Sequence, residues 1–238
     1  MRRPTILVTR PAPDGAATAA ALTKATGLPV VQSPLVEIAT TGPLPDMADT
    51  STLLFTSRNG VRAYADLGGP PRPAVCIGSA TAKAARDSGL EARAVGGDAE
   101  ALIAALLRDP PDAPLLHLRG EVVHTDIAPR LAEAGIQAQE AVIYRQTLLE
   151  LTAEAQALLA DRRHVIVPLY SARTAARLAA CASPRAPLHL VAISAAVDRA
   201  AGDVDAENRI IADTPDAPSM IRAVLATLRR VEGMAGPH

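Results

Sequence analysis

Two consecutive turns in the first half of the chain carry hydroxyl and glycine residues at places where an anion could bind. The apolar runs 53–55 and 75–77 read as strands, and each is followed by small polar residues and then by a helical pattern. A strand that leads through such residues directly into a helix leaves free backbone N–H groups at the carboxyl edge of its sheet. Such groups bind anions, and two adjacent turns favour a ligand with several carboxylates or phosphates. The residues concerned are Thr56, Ser57, Gly78, Ser79 and Thr81.

The same arrangement recurs in the second half of the chain. One strand pattern leads through Ser171 and Ala172 into a helix, and the next leads through Ser194 into another. Elements that repeat in the same order at nearly constant spacing favour the duplication of one α/β unit, although βα units in general resemble one another. The corresponding pairs are Ser57 and Ser171, Ile77 and Ile193, and Arg10 and Arg119.

Two arginines and one tyrosine are further candidates for a chemical role. Arg10 and Arg119 end the opening strand pattern of the two halves, and Gly120 follows at the start of a helix. Each guanidinium could bind a carboxylate through paired hydrogen bonds, or could form an internal salt bridge that braces its turn. Tyr144 lies in an extended run. Its phenol, with an ordinary pKa near ~10, could hydrogen-bond a leaving hydroxyl group, or its ring could simply pack.

Strand and helix patterns alternate along the chain, which predicts an α/β fold with two doubly wound parallel-sheet domains. The long extended segments 30–38 and 137–148 occupy equivalent places in the repeat and are expected to pair as a two-stranded β-ladder. Asp98 is a candidate helix cap, and the end of the chain from Val231 is expected to be frayed. The predicted boundaries are 1–34 with 149–238 for a discontinuous first domain, 38–144 for an inserted second domain, and 34–38 and 144–149 for the linker strands.

Bulk properties exclude several classes of function. The formal net charge of −1 provides no basic surface for nucleic acid or for an anionic membrane. No apolar run approaches the ~20 residues that a membrane span requires. The opening residues lack the apolar stretch of a signal peptide, so we expect a cytoplasmic protein.

No motif for a common cofactor or metal occurs in the sequence. It has no glycine-rich dinucleotide or phosphate-binding loop, which also argues against a nucleotide-dependent transferase, and no zinc-protease or serine-hydrolase motif. Cys76 and Cys181 are isolated cysteines without metal-ligand spacing. His117 and His189 fall within strand patterns, where a hydrogen-bonded core histidine is commoner than a ligand. We therefore expect neither a cofactor nor a metal site.

An ordered set of short motifs resembles the uroporphyrinogen-III synthase family over essentially the whole chain. Each motif alone is weakly specific, but the ordered set is considerably more so. The motifs are ILVTRP, SPLVEI, LLFTSRNGV, CIGSATAKAARDSGL, LHLRGE, AVIYR, YSARTA and DTPDAPSMIRAVL.

The resemblance implies both a fold and a reaction. The family has two α/β domains that are joined by a two-stranded β-ladder, with the active site in the cleft between them. Its substrate is hydroxymethylbilane, a linear tetrapyrrole with many carboxylates, which loses water and closes into a ring with inversion of the last pyrrole. No cofactor takes part. Because neither ladder nor cleft needs a second chain, a monomer is expected.

The resemblance also assigns roles to individual residues of this chain. It implies that Tyr144 assists the loss of the hydroxyl group, and that Ser57, Thr81 and Ser171 donate hydrogen bonds to the substrate. The residues on which the family motifs fall are Thr9, Arg10, Thr56, Ser57, Asn59, Gly78, Thr81 and Tyr144.

Two positions depart from the family pattern in the second half of the chain. Ser194 and Val197 stand where the family usually has glycine and threonine, and Tyr170 stands where it usually has threonine. Both changes alter hydrogen-bond donors or bulk beside the substrate. They leave open an alternative, in which the chain is a non-catalytic binding protein or a divergent paralogue that closes on a polycarboxylate ligand.

Overall fold

The computed structural model describes residues 3–96, 99–111, 114–122 and 127–234. Its strands are β1 (Thr5–Val8), β2 (Val30–Gln32), β3 (Val36–Thr40), β4 (Thr52–Phe55), β5 (Pro73–Cys76), β6 (Glu91–Ala94), β7 (Leu115–Gly120), β8 (Ala138–Leu148), β9 (Val165–Leu169), β10 (Leu188–Ala192) and β11 (Asn208–Ile211). Its helices are α1 (Asp14–Thr26), α2 (Arg58–Asp66), α3 (Ser79–Asp87), α4 (Ala99–Arg108), α5 (Ile127–Glu133), α6 (Ala153–Ala160), α7 (Ala172–Cys181), α8 (Ala195–Ala200) and α9 (Ala217–Met234).

The chain divides into two compact units. Unit 1 comprises residues 1–37 and 148–238, and unit 2 comprises residues 38–147. The chain therefore leaves unit 1 within β3 and returns to it within β8.

Unit 1 is built on a five-stranded parallel sheet with the order β11-β10-β9-β1-β2. The central strands β9 and β10 are uninterrupted apolar runs apart from Pro168 and His189, and every residue in them is buried. Such runs are typical of parallel strands that are covered by helices on both faces. Separate hydrophobic clusters lie on the two faces, one packed around Leu169 and Leu178, the other around Leu22 and Val224.

Unit 2 contains a six-stranded sheet with the order β3-β8-β7-β4-β5-β6. The five strands β8, β7, β4, β5 and β6 run parallel to one another. The edge strand β3 runs antiparallel to β8, because Thr41 N–H donates to the carbonyl of Ile143 (2.8 Å) while Leu149 N–H donates to that of Leu35 (2.9 Å). The predicted two-stranded ladder is thus present between β3 and β8. The predicted segment 30–38 does not pair as one strand, because residues 30–32 form β2 and pair with β1, and β8 also pairs with β7.

The two units share one strand order. If β4, β5, β6, β7 and β8 are matched to β9, β10, β11, β1 and β2, the neighbours in the two sheets are the same. The predicted doubly wound fold and its internal duplication are therefore confirmed. In unit 1 the matched strands occur in a circularly permuted order along the chain. Strands β1 and β2 come before unit 2, whereas β9, β10 and β11 come after it.

Two details at the ends of helices qualify the sequence analysis. The predicted cap Asp98 lies outside the described residues. The prediction of a frayed end from Val231 is wrong for its first four residues, since α9 continues to Met234. Val231 is itself buried, and this packing holds the last turn of the helix.

A pair of histidines lies at the amino edge of the unit 1 sheet. Nδ1 of His164, just before β9, is 2.9 Å from Nε2 of His189 on β10. His189 is 1% exposed, and its Nδ1 has no hydrogen-bond partner among the described residues. Burial, aided by the charges on His164 and Arg230, lowers the pKa of His189 to about 4.

This shift makes the stability of unit 1 depend on pH. Between the ordinary histidine pKa of ~6.5 and the folded value of about 4, the unfolded chain binds a proton that the folded unit does not. The free energy of unfolding should therefore fall as the pH drops through this window, by a total on the order of 3 kcal/mol. Replacing His189 with glutamine should remove most of this dependence, measured by denaturant unfolding at a series of pH values.

The matched control is His164→Gln, which should keep most of the pH dependence because burial of His189 is the larger cause of the shift. Equal acid sensitivity in wild-type protein and in the His189→Gln variant would contradict this account.

Candidate functional site

Each sheet has one place where its strand order reverses. In unit 1 this switch point lies between β1 and β9, and in unit 2 it lies between β4 and β7. Open α/β sheets bind ligands beyond the carboxyl ends of the strands at such points, because the helices diverge there and leave a crevice. Most of the predicted site residues end or directly follow these four strands: Thr9 and Arg10, Ser171 and Ala172, Thr56 and Ser57, Arg119 and Gly120.

The first turn of unit 2 is organised by Ser57. Ser57 is the N-cap of α2, and its hydroxyl accepts a hydrogen bond from the backbone N–H of Asn59 (3.1 Å). Thr56, Ser57 and Asn59 are half-buried, so their polar atoms are within reach of a ligand at this edge. The cap also explains why the sequence turns into a helix here, since serine satisfies an N–H group that the helix cannot.

The second turn of unit 2 is more open. Gly78 is the N-cap of α3 without a side-chain hydrogen bond, and a Cβ atom built on it would meet nothing within 4 Å. Ser79 is exposed. Thr81, by contrast, is buried in the first turn of α3, with 7% of its surface exposed. The backbone N–H groups here are therefore more accessible than the Thr81 hydroxyl is.

Tyr144 packs its ring against the backbone of β7. A Cβ atom built on Gly120 would lie 2.6 Å from Cε2 and 2.7 Å from Cζ of Tyr144, so only glycine fits beneath this ring. Tyr144 is 5% exposed and belongs to the cluster that contains Phe55 and Leu118. Its phenol makes no hydrogen bond with a described residue. The ring is therefore fixed by packing.

A polar network crosses the unit 2 switch point. His117 Nδ1 lies 2.9 Å from Glu140 Oε1, and Arg119 Nε donates to Glu140 Oε2 (3.0 Å). Arg119 Nη1 also donates to the carbonyl oxygen of Gly120 (3.0 Å). On its other side, His117 Nε2 lies 3.4 Å from the hydroxyl oxygen of Thr56. A continuous chain of polar contacts therefore runs from Arg119 through Glu140 and His117 to Thr56.

The network sets the charges of its members. Burial lowers the pKa of His117, which is 1% exposed, and outweighs the opposing effect of Glu140. Burial alone would raise the pKa of Glu140, but the hydrogen bonds from His117 and Arg119 outweigh it and lower that pKa. Near neutral pH the network therefore contains a neutral imidazole, a carboxylate and a guanidinium.

Arg10 closes the corresponding place in unit 1. Its guanidinium donates to Asp14 (2.9 Å) and to the hydroxyl of Thr18 (3.0 Å), and its Cζ lies 4.2 Å from the centre of the Tyr170 ring. Burial raises the pKa of Tyr170, and the charge of Arg10 opposes this effect. For both Arg10 and Arg119, the structure shows the internal salt bridge that the sequence analysis left open. Neighbouring Thr9 is fully buried, and its hydroxyl has no hydrogen-bond partner among the described residues.

Two serines open the other turns of unit 1. Ser171 is the N-cap of α7; its hydroxyl accepts from Thr174 N–H (3.2 Å) and donates to the Thr174 hydroxyl (2.8 Å). Ser171 and Ala172 are exposed. Ser194 caps α8 by accepting from Val197 N–H (3.4 Å), so the departure from the family's glycine at this position keeps a cap.

Sequence reasoning missed the roles of His117 and Glu140. Because His117 and Arg119 are two residues apart on β7, their side chains lie on one face of the sheet. The parallel register of β7 and β8 places Glu140 directly beside His117. The repeat could have suggested this register, since His117 and Glu140 lie 23 residues apart and the corresponding pair Val8 and Gln32 of β1 and β2 lies 24 apart.

A cavity of about 490 Å³ lies at the opposite edge of the unit 2 sheet. It is lined by the amino ends of β4, β5 and β6 and by the end of α4, where Arg93 and Asp109 form an ion pair (3.1 Å). None of the predicted site residues lines it. Among the described residues there is no group of three metal-binding side chains, and none of their helices is long and apolar enough to cross a membrane.

Comparisons with known proteins agree with this geometry. A family model described as uroporphyrinogen-III synthase HemD matches residues 17–222. The fold is similar to the crystal structure of uroporphyrinogen-III synthetase from Helicobacter pylori, with a TM-score of 0.69 and 18% identity over 95% of this chain and 100% of that one. It is also similar to a mutant uroporphyrinogen III synthase from Thermus thermophilus, with a TM-score of 0.56 and 15% identity over 98% and 100% of the two chains. No curated protein sequence matches the chain.

The contact between Gly120 and Tyr144 can be tested by a single substitution. Gly120→Ala should push the Tyr144 ring away, because the new Cβ atom would lie well inside contact distance of three of its atoms. We expect a loss of about 1–3 kcal/mol in the free energy of unfolding and a clear change in the NMR signals of the Tyr144 ring. Gly78→Ala, at the same edge but in open space, should leave those signals unchanged. Unaltered Tyr144 signals in the Gly120→Ala variant would refute the packing.

Proposed function

Because the chain belongs to the uroporphyrinogen-III synthase family, we propose that it converts hydroxymethylbilane into uroporphyrinogen III, with ring closure, inversion of the last pyrrole and loss of water. The observation that carries this proposal is the place of the family motifs in the fold. In each unit, residues of those motifs flank the switch point of a parallel sheet, which is where α/β sheets bind their ligands.

The substrate's carboxylates suit the donors at these edges. Helices α2, α3 and α7 begin there, and their first N–H groups and positive dipole ends attract anions. The hydroxyls of Ser57 and Ser171 and the amide of Asn59 add hydrogen-bonding groups. Because Arg10 and Arg119 already bind Asp14 and Glu140, we propose that they mainly shape the turns and that neutral donors hold most of the carboxylates.

The complete set of proposed site residues keeps the assignments made from the sequence, although Thr9 is fully buried and Arg10 and Arg119 are internally paired. The catalytic residue is Tyr144. The substrate-binding residues are Thr9, Arg10, Thr56, Ser57, Asn59, Gly78, Ser79, Thr81, Arg119, Gly120, Ser171, Ala172 and Ser194.

The chemistry that these residues must support is modest. The reaction breaks one C–O bond and, to invert the last pyrrole, one C–C bond. Two C–C bonds form and water is released, so there is no net oxidation or reduction and no electron carrier is needed. We therefore class the enzyme as a cofactor-independent carbon–oxygen lyase. Most of the rate enhancement would come from holding a flexible chain in the one geometry that closes with inversion. The Tyr144 phenol would donate a hydrogen bond to the leaving hydroxyl group. A cytoplasmic monomer remains a prediction.

A binding protein without catalytic activity is the second candidate. It is favoured by Tyr170, whose ring stacks under Arg10 and occupies the unit 1 switch point where the family usually has a small threonine. If this ring excludes part of the substrate, the chain could retain the fold and bind a polycarboxylate without closing it into a ring.

A coupled assay separates the two candidates. Hydroxymethylbilane is generated in situ by its synthase, the purified protein is added, and the oxidised products are separated by isomer. The enzyme should yield predominantly the type III isomer. The type I isomer alone, as in the control without the protein, would refute the enzymatic proposal and favour the binding protein.

The role of Tyr144 is tested in the same assay. Tyr144→Phe keeps the ring on Gly120 but removes the hydroxyl group, and we expect turnover to fall by about 10- to 100-fold with little loss of stability. Tyr64→Phe is the matched control, since Tyr64 is buried in the same cluster but directs its hydroxyl group to the carbonyl of Pro70 (2.7 Å). Equal turnover in the two variants would remove Tyr144 from the mechanism.

A further inference from the structure

We propose that Thr56, His117 and Glu140 form a proton relay at the unit 2 switch point, through which Thr56 removes a proton from the substrate. The proposal rests on the proposed function and adds a base to it. Thr56 would be a second catalytic residue beside Tyr144, because it is the member of the relay that is half-buried at the edge of the sheet. His117 and Glu140 would act through it.

The hydrogen-bond pattern fixes the direction of the relay. Glu140 is ionised near neutral pH and can only accept hydrogen bonds, so the His117 nitrogen beside it, Nδ1, must carry the proton. In a neutral imidazole the other nitrogen, Nε2, is then an acceptor. Nε2 faces the Thr56 hydroxyl at 3.4 Å, so that hydroxyl donates to it. The lone pairs of the Thr56 oxygen are left free to take a proton from a ligand.

The arrangement matches the logic of a nucleophile or base that is backed by histidine and a carboxylate. The carboxylate orients the imidazole and stabilises the imidazolium that forms when the proton arrives. A distance of 3.4 Å is long for a hydrogen bond, but such contacts in enzymes without ligand commonly tighten when the substrate binds. Among the described residues, the charged groups that act on His117 are Glu140 on β8 and Arg119 on β7.

Unit 1, which has the same strand order, provides an internal comparison. Val8 of unit 1 takes the place of His117 of unit 2, and Gln32 takes the place of Glu140. These equivalences follow from the pairing of β1 with β9 and β2 and from the pairing of β7 with β4 and β8. Tyr170 takes the place of Thr56. The same fold therefore packs without a histidine or a carboxylate at these positions. The polar network is a property of unit 2 and not a requirement of the duplicated fold.

The relay supplies a proton step that the reaction needs. Water leaves the hydroxymethyl pyrrole when its C–O bond breaks and its N–H proton departs, which gives a neutral azafulvene. Thr56 takes up the N–H proton as its own proton passes to Nε2 of His117. The hydroxyl group leaves as water with a proton from Tyr144. The imidazolium then returns its proton through solvent, and the phenol is restored, so that protons balance over the cycle.

Three substitutions test the relay, and two of them copy unit 1. His117→Val and Glu140→Gln introduce the residues that unit 1 uses at these positions, and Thr56→Val removes the hydroxyl group. We expect His117→Val and Thr56→Val to lower the single-turnover rate by about 100-fold, while Thr56→Ser stays within a few-fold of wild type. The type III share of the remaining product should not change, because other residues position the substrate. His189→Gln, which alters a buried strand histidine of unit 1 that is not a proposed site residue, should keep the wild-type rate.

The pH profile distinguishes a relay from a structural role. Because burial lowers the pKa of His117, the wild-type rate should fall only at a pH below the ordinary histidine value of ~6.5, where protonated His117 cannot accept a proton. This acidic limb should be absent from the residual activity of His117→Val. A pH profile of the His117→Val variant that keeps the acidic limb would overturn the proposal. So would variants that lose rate only in proportion to their loss of folded protein.

An NMR measurement examines the relay without reference to activity. In ¹⁵N-labelled protein, His117 should be the Nδ1–H tautomer at neutral pH, and a proton on Nε2 would overturn the relay. Failure of the proposed function has a different signature, namely wild-type protein that yields only the type I isomer. If the His117→Val variant makes the type III isomer at the wild-type rate, the proposed function stands and only the relay is refuted.

Discussion

The structure depends on the parallel pairing of strands within each unit. Parallel strands that are joined by right-handed helical crossovers bring every carboxyl end to one edge of the sheet. The strand order then decides which carboxyl ends are neighbours. In both sheets the switch point lies between strands whose ends carry hydroxyl, arginine and glycine residues. Residues that are remote in sequence, such as Thr56 and His117, meet for this reason.

Duplication of the fold has not produced duplicate chemistry. In both units an arginine at the end of one switch-point strand, β1 or β7, is neutralised by a carboxylate, Arg10 by Asp14 and Arg119 by Glu140. Unit 1 covers its arginine with the Tyr170 ring, whereas unit 2 extends the ion pair into a buried histidine. Under the proposed relay, proton transfer would belong to unit 2, and the exposed helix start at Ser171 would leave unit 1 to hold anionic groups.

The sequence predicted two duplicated α/β units and helices that begin after Ser57, Ser171 and Ser194, because these depend on local patterns that the repeat reinforces. The strand order of the sheets came only from the structure. It could not decide whether Arg10 and Arg119 pair internally, since their partners are chosen by side-chain geometry. It also did not single out Glu140, whose role appears only when β7 and β8 are placed in register. The domain boundaries and the roles of the site residues remain predictions.

The central proposal is that a polycarboxylate binds at the carboxyl edge of each sheet. Amide hydrogen exchange in the presence of uroporphyrinogen III, under anaerobic conditions, tests it most directly. We expect protection of the first amides of α2 and α3 in unit 2 and of α7 in unit 1, with no change at the amino edges near His189 and Arg93. Protection confined to those amino edges, or to a single unit, would contradict the account.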